Sequence, residues 1–183
     1  PAQLGVILDN VTTVGVIGNY FRTGMPLVSR RITVDGDAVA NPQNVVVPIG
    51  THIADVIEFC GGYAKDPKKM IRGGPMMGRA TKSDESTTMK NTGSLLCFSR
   101  EMADVKEETA CINCGRCLNA CPFKLVPQIY AEAYLRRDVA KLQKFKVMQC
   151  MECGSCSFIC PARRPLSFYN KLSKIMIKEA ATK

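Results

Sequence analysis

Cys111-Ile-Asn-Cys114-Gly-Arg-Cys117-Leu-Asn-Ala-Cys121-Pro122 is answered further on by Cys150-Met-Glu-Cys153-Gly-Ser-Cys156-Ser-Phe-Ile-Cys160-Pro161. Both stretches read C-x2-C-x2-C-x3-C-P. With this spacing one chain holds two iron–sulfur cubes, and each fourth cysteine ligates the cube of the other stretch. Three thiolates at x2 spacing wrap the chain around three corners of a small cube. The local loop does not reach the fourth corner, so a remote cysteine supplies it. The expected ligand sets are Cys111, Cys114, Cys117 and Cys160 for cluster one, and Cys150, Cys153, Cys156 and Cys121 for cluster two. Proline after each fourth cysteine fixes φ, lacks an N–H and turns the chain away. Gly115 and Gly154, between the second and third ligands, are expected where a side chain would crowd the cluster.

Other cysteine chemistries fit less well. Zinc sites want four ligands, usually as two pairs, whereas here two groups of four each end in Cys-Pro. Disulfides suit small secreted domains, and no secretory leader is recognised in these residues. Ten cysteines then point to a reducing, metal-loading compartment.

The formal charge of +9 invites a nucleic-acid reading. Counting eight thiolates and two oxidised cores brings the loaded protein to about +5. The remaining charge suits an acidic redox partner. No basic stripe is interleaved with aromatics, so nucleic acid is not expected as a partner. The longest apolar stretch, Leu4 to Phe21, is interrupted by Asp9, Asn10, threonines and glycines. No transmembrane segment is therefore expected.

Taken in order, the chain opens with Pro1-Ala2-Gln3-Leu4-Gly5, which reads like the middle of a longer sequence. Val11, Val14, Ile17 and Phe21 recur at helical spacing and predict a helix from about Asn10 to Arg22, ended by Gly24. Such a helix either packs on the next domain or closes a preceding one; the second reading is preferred.

Strands are predicted at Arg31–Asp35, Asn44–Pro48 and Met70–Arg72, with a turn at Asp35-Gly36. Thr51 is expected to cap a helix carrying Ile53, Val56, Ile57 and Cys60, stopped by Gly61-Gly62. Gly73-Gly-Pro-Met-Met-Gly78 comes next as a tight loop, either a ligand cradle or a strained turn with its methionines in the core. It has no Walker lysine and no G-x-G-x-x-G, so a phosphate site is not expected. His52 reads as a surface or capping residue, and Cys60 and Cys97 as buried, inert thiols. Residues 81–92 are polar and predict a loop, Thr92 to Arg100 a returning strand, and the acidic Glu101 to Thr109 a linker.

Between the cysteine motifs, Ile129, Ala133 and Leu135, then Val139, Leu142 and Phe145, predict two short helices with a break near Asp138. This insert either covers the clusters or meets a partner. After Pro165, Leu166, Tyr169, Leu172 and Met176 make one face of a helix, with Lys171, Lys174 and Lys178 off it. That helix packs on the cysteine-bearing unit or, as a lesser reading, lies on a membrane surface. Lys124, Arg163 and Arg164 follow the cysteines and either raise cluster potentials or are merely solvated.

Thr33-Val-Asp-Gly-Asp37-Ala-Val, Pro48-Ile-Gly50-Thr51, Cys60-Gly-Gly-Tyr63, Gly73-Gly-Pro-Met-Met-Gly78 and the double cysteine motif, in this order, resemble the C subunit of the Rnf electron-transport complex. The resemblance covers nearly the whole chain. It implies an α+β fold, with a β-grasp, soluble-ligand-binding domain followed by a two-cluster ferredoxin-like α-helical domain. Residues 1–25 would be the end of a flavin- and NADH-binding domain or a linking helix, 27–100 the β-grasp domain and 101–183 the ferredoxin-like domain.

In such a complex the chain would relay single electrons through two [4Fe-4S] clusters, between an FMN/NADH site on the preceding domain and a partner iron–sulfur subunit. The complex couples ferredoxin–NAD exchange to ion translocation. The chain would sit peripherally on the cytoplasmic face of the membrane. Its eight motif cysteines take the family's ligand roles, and no residue here is assigned to hydride transfer. Two alternatives remain. One is a cobalamin reductase of the propanediol-utilisation type, which would need a further C-terminal domain. The other is a non-catalytic ferredoxin carrier fused to a docking module.

Overall fold

Alternating β-branched residues build the first half of the chain. In β1 (Ser29–Asp35) Ile32 and Val34 point inward, and in β2 (Gln43–Pro48) Val45 and Val47 do the same. The two strands pair antiparallel, Ser29 opposite Pro48 and Val34 opposite Gln43. β3 (Pro67–Arg72) pairs antiparallel with the three-residue β4 (Arg79–Thr81), and β5 (Ser94–Ser99) lies between β1 and β3. The resulting five-stranded sheet has the order β2-β1-β5-β3-β4, and its β1–β5 pairing is parallel. The computed structural model describes residues 4–104 and 107–182. The reading of Pro1–Gln3 as mid-sequence therefore lies outside the described residues, as do Val105 and Lys106 of the expected linker.

Helix α2 (Ile53–Phe59) lays Ile53, Val56 and Ile57 on the sheet, where they join Ile32, Val34 and Leu95 in one core. Each such side chain contributes about 1.5–3 kcal/mol when fully buried. Thr51 does not cap α2. Its hydroxyl donates to the Pro48 carbonyl, and His52 holds the cap position without a side-chain cap bond. The free amides of Ile53 and Ala54 are met instead by the Ser86 and Asp84 carbonyls. Residues 84–86, read from sequence only as a polar loop, thus satisfy a helix end. Cys60 and Cys97 are fully buried in this core.

The turn after β1 is held tightly. Gly36 has φ +114°, and a Cβ there would fall 2.0 Å from the Cys97 carbonyl oxygen. Beyond it, Asp37 accepts hydrogen bonds from the Ser99 amide and hydroxyl and lies 3.5 Å from Lys65 Nζ. Gly73–Gly78 forms the turn of the β3–β4 hairpin, and Met76 and Met77 are exposed rather than in the core.

Helix α1 (Val11–Thr23) matches the sequence expectation closely. The Asn10 side chain accepts from the Thr12 amide, and the Gly24 N–H donates to the Tyr20 carbonyl. Val11, Val14, Ile17 and Phe21 are all exposed. A four-residue helix, α3 (Arg100–Ala103), follows β5.

The chain divides into two compact units. One comprises residues 1–74 and 79–103; the other comprises residues 75–78 and 104–183. The second is helical: α4 (Arg116–Asn119), α5 (Pro127–Leu135), α6 (Val139–Lys144), α7 (Ser155–Phe158) and α8 (Leu166–Ala181). Asp138 caps α6 through the Lys141 amide, at the expected break. Tyr130 is fully buried and donates to the Phe145 carbonyl at 2.6 Å, while Leu135 is exposed, against expectation.

The buried stripe of α8 also differs from the expected one. It runs through Leu166, Asn170, Ser173 and Ile177, leaving Tyr169, Leu172 and Met176 at its margin. Two polar residues occupy the middle of that stripe, and an apolar count passes over them. Lys174, expected among the solvated lysines, turns inward, its side chain 18% exposed. Lys171 and Lys178 are exposed. Among the described residues no helix is long and apolar enough to cross a membrane.

Candidate metal centres

The two cysteine stretches fold alike, position for position. Asn113 and Glu152 have φ of 55° and 58°, Gly115 and Gly154 have φ of 72° and 85°, and Lys124 and Arg163 have φ of 53° and 54°. The left-handed residue after the first cysteine bends the chain back. The left-handed glycine then opens a single helical turn, α4 or α7, which carries the third cysteine. Left-handed backbone costs an L-residue about 1–2 kcal/mol, so glycine is favoured there for its conformation; a Cβ at Gly115 would meet nothing within 4 Å, and one at Gly154 would meet Met76.

This geometry gathers the cysteines into two pockets. Cys111, Cys114, Cys117 and Cys160 line one, with Gln128, Arg164 and Leu166 beside them. Cys150, Cys153, Cys156 and Cys121 line the other, with Leu125 and Asn170. Each pocket thus holds three thiols of one motif and the fourth of its counterpart. Among the described residues, no three His, Cys, Asp or Glu side chains converge as a single-ion site requires. Four soft thiol donors spread around the walls of a pocket suit an iron–sulfur cube.

Burial differs among the thiols. Cys111 and Cys114 are exposed, while Cys117 and Cys156 are buried. Burial raises the pKa of Cys117, and it pushes that of Cys156 up to about 11, with the neighbouring Cys150 adding to the effect. The Ser155 hydroxyl and amide hold Cys153 below its ordinary value.

The side chains around the pockets were not all foreseen. Gln128 Oε1 lies 3.1 Å from Cys117 Sγ. On the other side, Asn170 Nδ2 lies 3.4 Å from Cys150 Sγ and 4.0 Å from Cys156 Sγ. Lys174 donates to the Cys150 carbonyl and to Glu152. A polar residue in the middle of a helical apolar stripe was the signal available for Asn170. Of the basic residues flagged from sequence, Lys124 and Arg163 are exposed, and Arg164 stacks 5.8 Å from the centre of the Tyr169 ring.

The remaining flagged residues stand apart from the pockets. Burial raises the pKa of Cys60 and takes that of Cys97 to about 11. His52 lies at the start of α2 with Nδ1 2.8 Å from the Glu85 carbonyl.

Two family models match the chain: an SLBB domain over residues 31–80 and a 4Fe-4S dicluster domain over residues 103–161. The C subunit of the Na(+)-translocating ferredoxin:NAD(+) oxidoreductase complex of Acetobacterium woodii is 42% identical over 139 residues, which is 76% of this chain and 31% of that protein. Its proton-translocating counterpart from Clostridium ljungdahlii is 40% identical over 129 residues, 70% of this chain and 28% of that one. The chain is a homologue of the C subunits of the ion-translocating ferredoxin:NAD oxidoreductases. It spans about three tenths of the length of those two relatives. The cobalamin reductase PduS of Salmonella typhimurium is also similar, 34% identical over 180 residues, 88% of this chain and 40% of that protein.

Proposed function

We propose that the chain is the electron-relay part of a membrane-associated, ion-translocating ferredoxin–NAD oxidoreductase. Cys111, Cys114, Cys117 and Cys160 would hold one [4Fe-4S] cluster, and Cys150, Cys153, Cys156 and Cys121 the other. The observation that carries this reading is the sorting of the eight thiols into two pockets, each completed from the opposite motif. Bound there, each cluster supplies reversible one-electron transfer, which splits a two-electron flavin step into single electrons.

The chain's own residues position and insulate. Leu125 and Leu166 wall off the inner side of the pockets, and Cys111 and Cys114 leave the first one open at the surface. That open side is where an electron enters or leaves toward a partner iron–sulfur subunit. FMN and NADH act elsewhere in the subunit, consistent with the greater length of the relatives. The sheet order, with its parallel central pair, supports a β-grasp reading of residues 27–100, and the helical unit supports a ferredoxin-like reading of residues 101–183. We place the subunit on the cytoplasmic face of the membrane, held by other subunits of the complex.

A second reading, cobalamin reduction, is favoured by the PduS match, which extends over more of this chain than the matches to the oxidoreductase relatives do. It shares the cluster sites and differs in the final electron acceptor.

Anaerobic EPR on the reconstituted chain, with dithionite or NADH as reductant, tests the proposal. We expect dithionite to reveal two interacting [4Fe-4S] centres and NADH alone to reduce neither. Absence of any iron signal rejects the cluster sites. Reduction by NADH alone places a flavin and nucleotide site within these residues and rejects the relay-only role.

A further inference from the structure

Asn170 is 1% exposed, in the middle of the buried stripe of α8. Its Nδ2 faces two cysteine sulfurs of one pocket, Cys150 at 3.4 Å and Cys156 at 4.0 Å. Its Oδ1 is buried without a hydrogen-bond partner. Thiolate sulfur accepts hydrogen bonds, so the NH2 end belongs on that side. A buried amide with an orphaned oxygen is a poor choice for packing, since leucine would fill a helix stripe without an unmet polar atom. In the other half of the repeat the corresponding place, on α5, is taken by Ala131, which is equally buried. At this helix position the amide occurs in one half of the duplicated scaffold only, aimed at two of its thiols; the other half's amide, Gln128, sits three residues earlier on α5 with its Oε1 3.1 Å from Cys117 Sγ.

Resting on the cluster reading above, we infer that Asn170 is a positioning and tuning residue for the site formed by Cys150, Cys153, Cys156 and Cys121. Its N–H groups donate to the Cys150 and Cys156 thiolates and raise the reduction potential of that site. The physical basis is charge. Gaining an electron makes the thiolate sulfurs more negative, so an N–H donor stabilises the reduced state more than the oxidised one. Burial keeps water from substituting for the amide and fixes its direction. Lys174, one turn along α8, braces the same loop by donating to the Cys150 carbonyl and to Glu152.

The test is a potentiometric EPR titration of the anaerobically reconstituted full chain, comparing Asn170→Leu and Asn170→Ser with the unsubstituted protein. Iron content is measured alongside. We expect both variants to keep two clusters. The reduction equilibrium of the affected site should fall about tenfold in Asn170→Leu, a shift of about 59 mV for one electron, while the other site keeps its potential. Asn170→Ser, which retains a donor, should shift less.

A second measurement on the unsubstituted fold uses selective 15N labelling of asparagine, with pulsed EPR reading nitrogen coupling on the reduced cluster. Unchanged potentials with both clusters present overturn the inference, as does loss of one cluster from both variants with no 15N coupling in the unsubstituted protein. Failure of the unsubstituted chain to bind iron overturns the cluster reading itself, and the tuning role with it.

Discussion

Lys174 Nζ lies 2.7 Å from Glu152 Oε1, so that one ammonium from α8 holds the left-handed residue of the second cysteine loop in place. The same ammonium donates to the Cys150 carbonyl. Lys174→Met should leave both acceptors unmet in a partly buried setting. The expected loss is about 1–2 kcal/mol, the lower part of the range for charged hydrogen bonds, because Glu152 is a third exposed. Urea unfolding of the reconstituted protein measures it, and an unchanged midpoint would show that the contact contributes nothing.

Gly36 is the most sensitive backbone position we find in the first unit. Alanine there would face both an unfavourable φ and the backbone of Cys97, which cannot swing aside as a side chain can. Gly36→Ala should destabilise the sheet by roughly 3 kcal/mol or more. Thermal melting followed by circular dichroism will show it; a melting point within a degree or two of the parent value contradicts the close approach.

Asp37 ties the turn after β1 to the end of β5. Hydrogen bonds from the Ser99 hydroxyl and amide hold its carboxyl below the ordinary value, with Lys65 assisting. A depressed folded pKa contributes stability above the unfolded value and loses it as pH falls through the folded one. Asp37→Asn should therefore be less stable than the parent at neutral pH, and the gap should close as the solution is acidified below about pH 4. Paired denaturation curves across pH 3 to 7 decide the matter, and a gap independent of pH removes the carboxylate from the explanation.

Cys121 lies in the pocket of the second motif although it belongs to the first. Cys121→Ser should damage the cluster of Cys150, Cys153 and Cys156 and leave that of Cys111, Cys114 and Cys117 with all of its ligands. EPR and iron analysis distinguish the two. Loss confined to the first motif's cluster would mean that each motif keeps its own fourth cysteine.

Much of this architecture is legible wherever local chemistry repeats. Asn10 and Gly24 bound α1 as their side-chain and backbone preferences require, and Asp138 marks the break between α5 and α6. The repeat of the cysteine spacing is likewise legible, and the ligand sets proposed above rest on it.

Features set by distant partners are harder to read. β4 is three residues long and exists through its pairing with β3, so the sequence alone predicts no strand at Arg79–Thr81. Thr51 offers a hydroxyl for capping, but backbone carbonyls from residues 84 and 86 meet the helix amides first. On α8, Asn170 and Ser173 are buried by tertiary contacts that apolar periodicity does not count. Leu135 carries an apolar side chain yet ends its helix in solvent.

The parallel pairing of Thr33 with Ser94 has a consequence for how the molecule is made. The strand at the middle of the sheet is the last of the five to be synthesised. Until it arrives, α2 can cover Ile32 and Val34, but β1 keeps an open edge, a state prone to pairing with other chains. Closure must gather strands from opposite ends of the unit, which places its folding among slow, long-range assemblies rather than among fast helical ones.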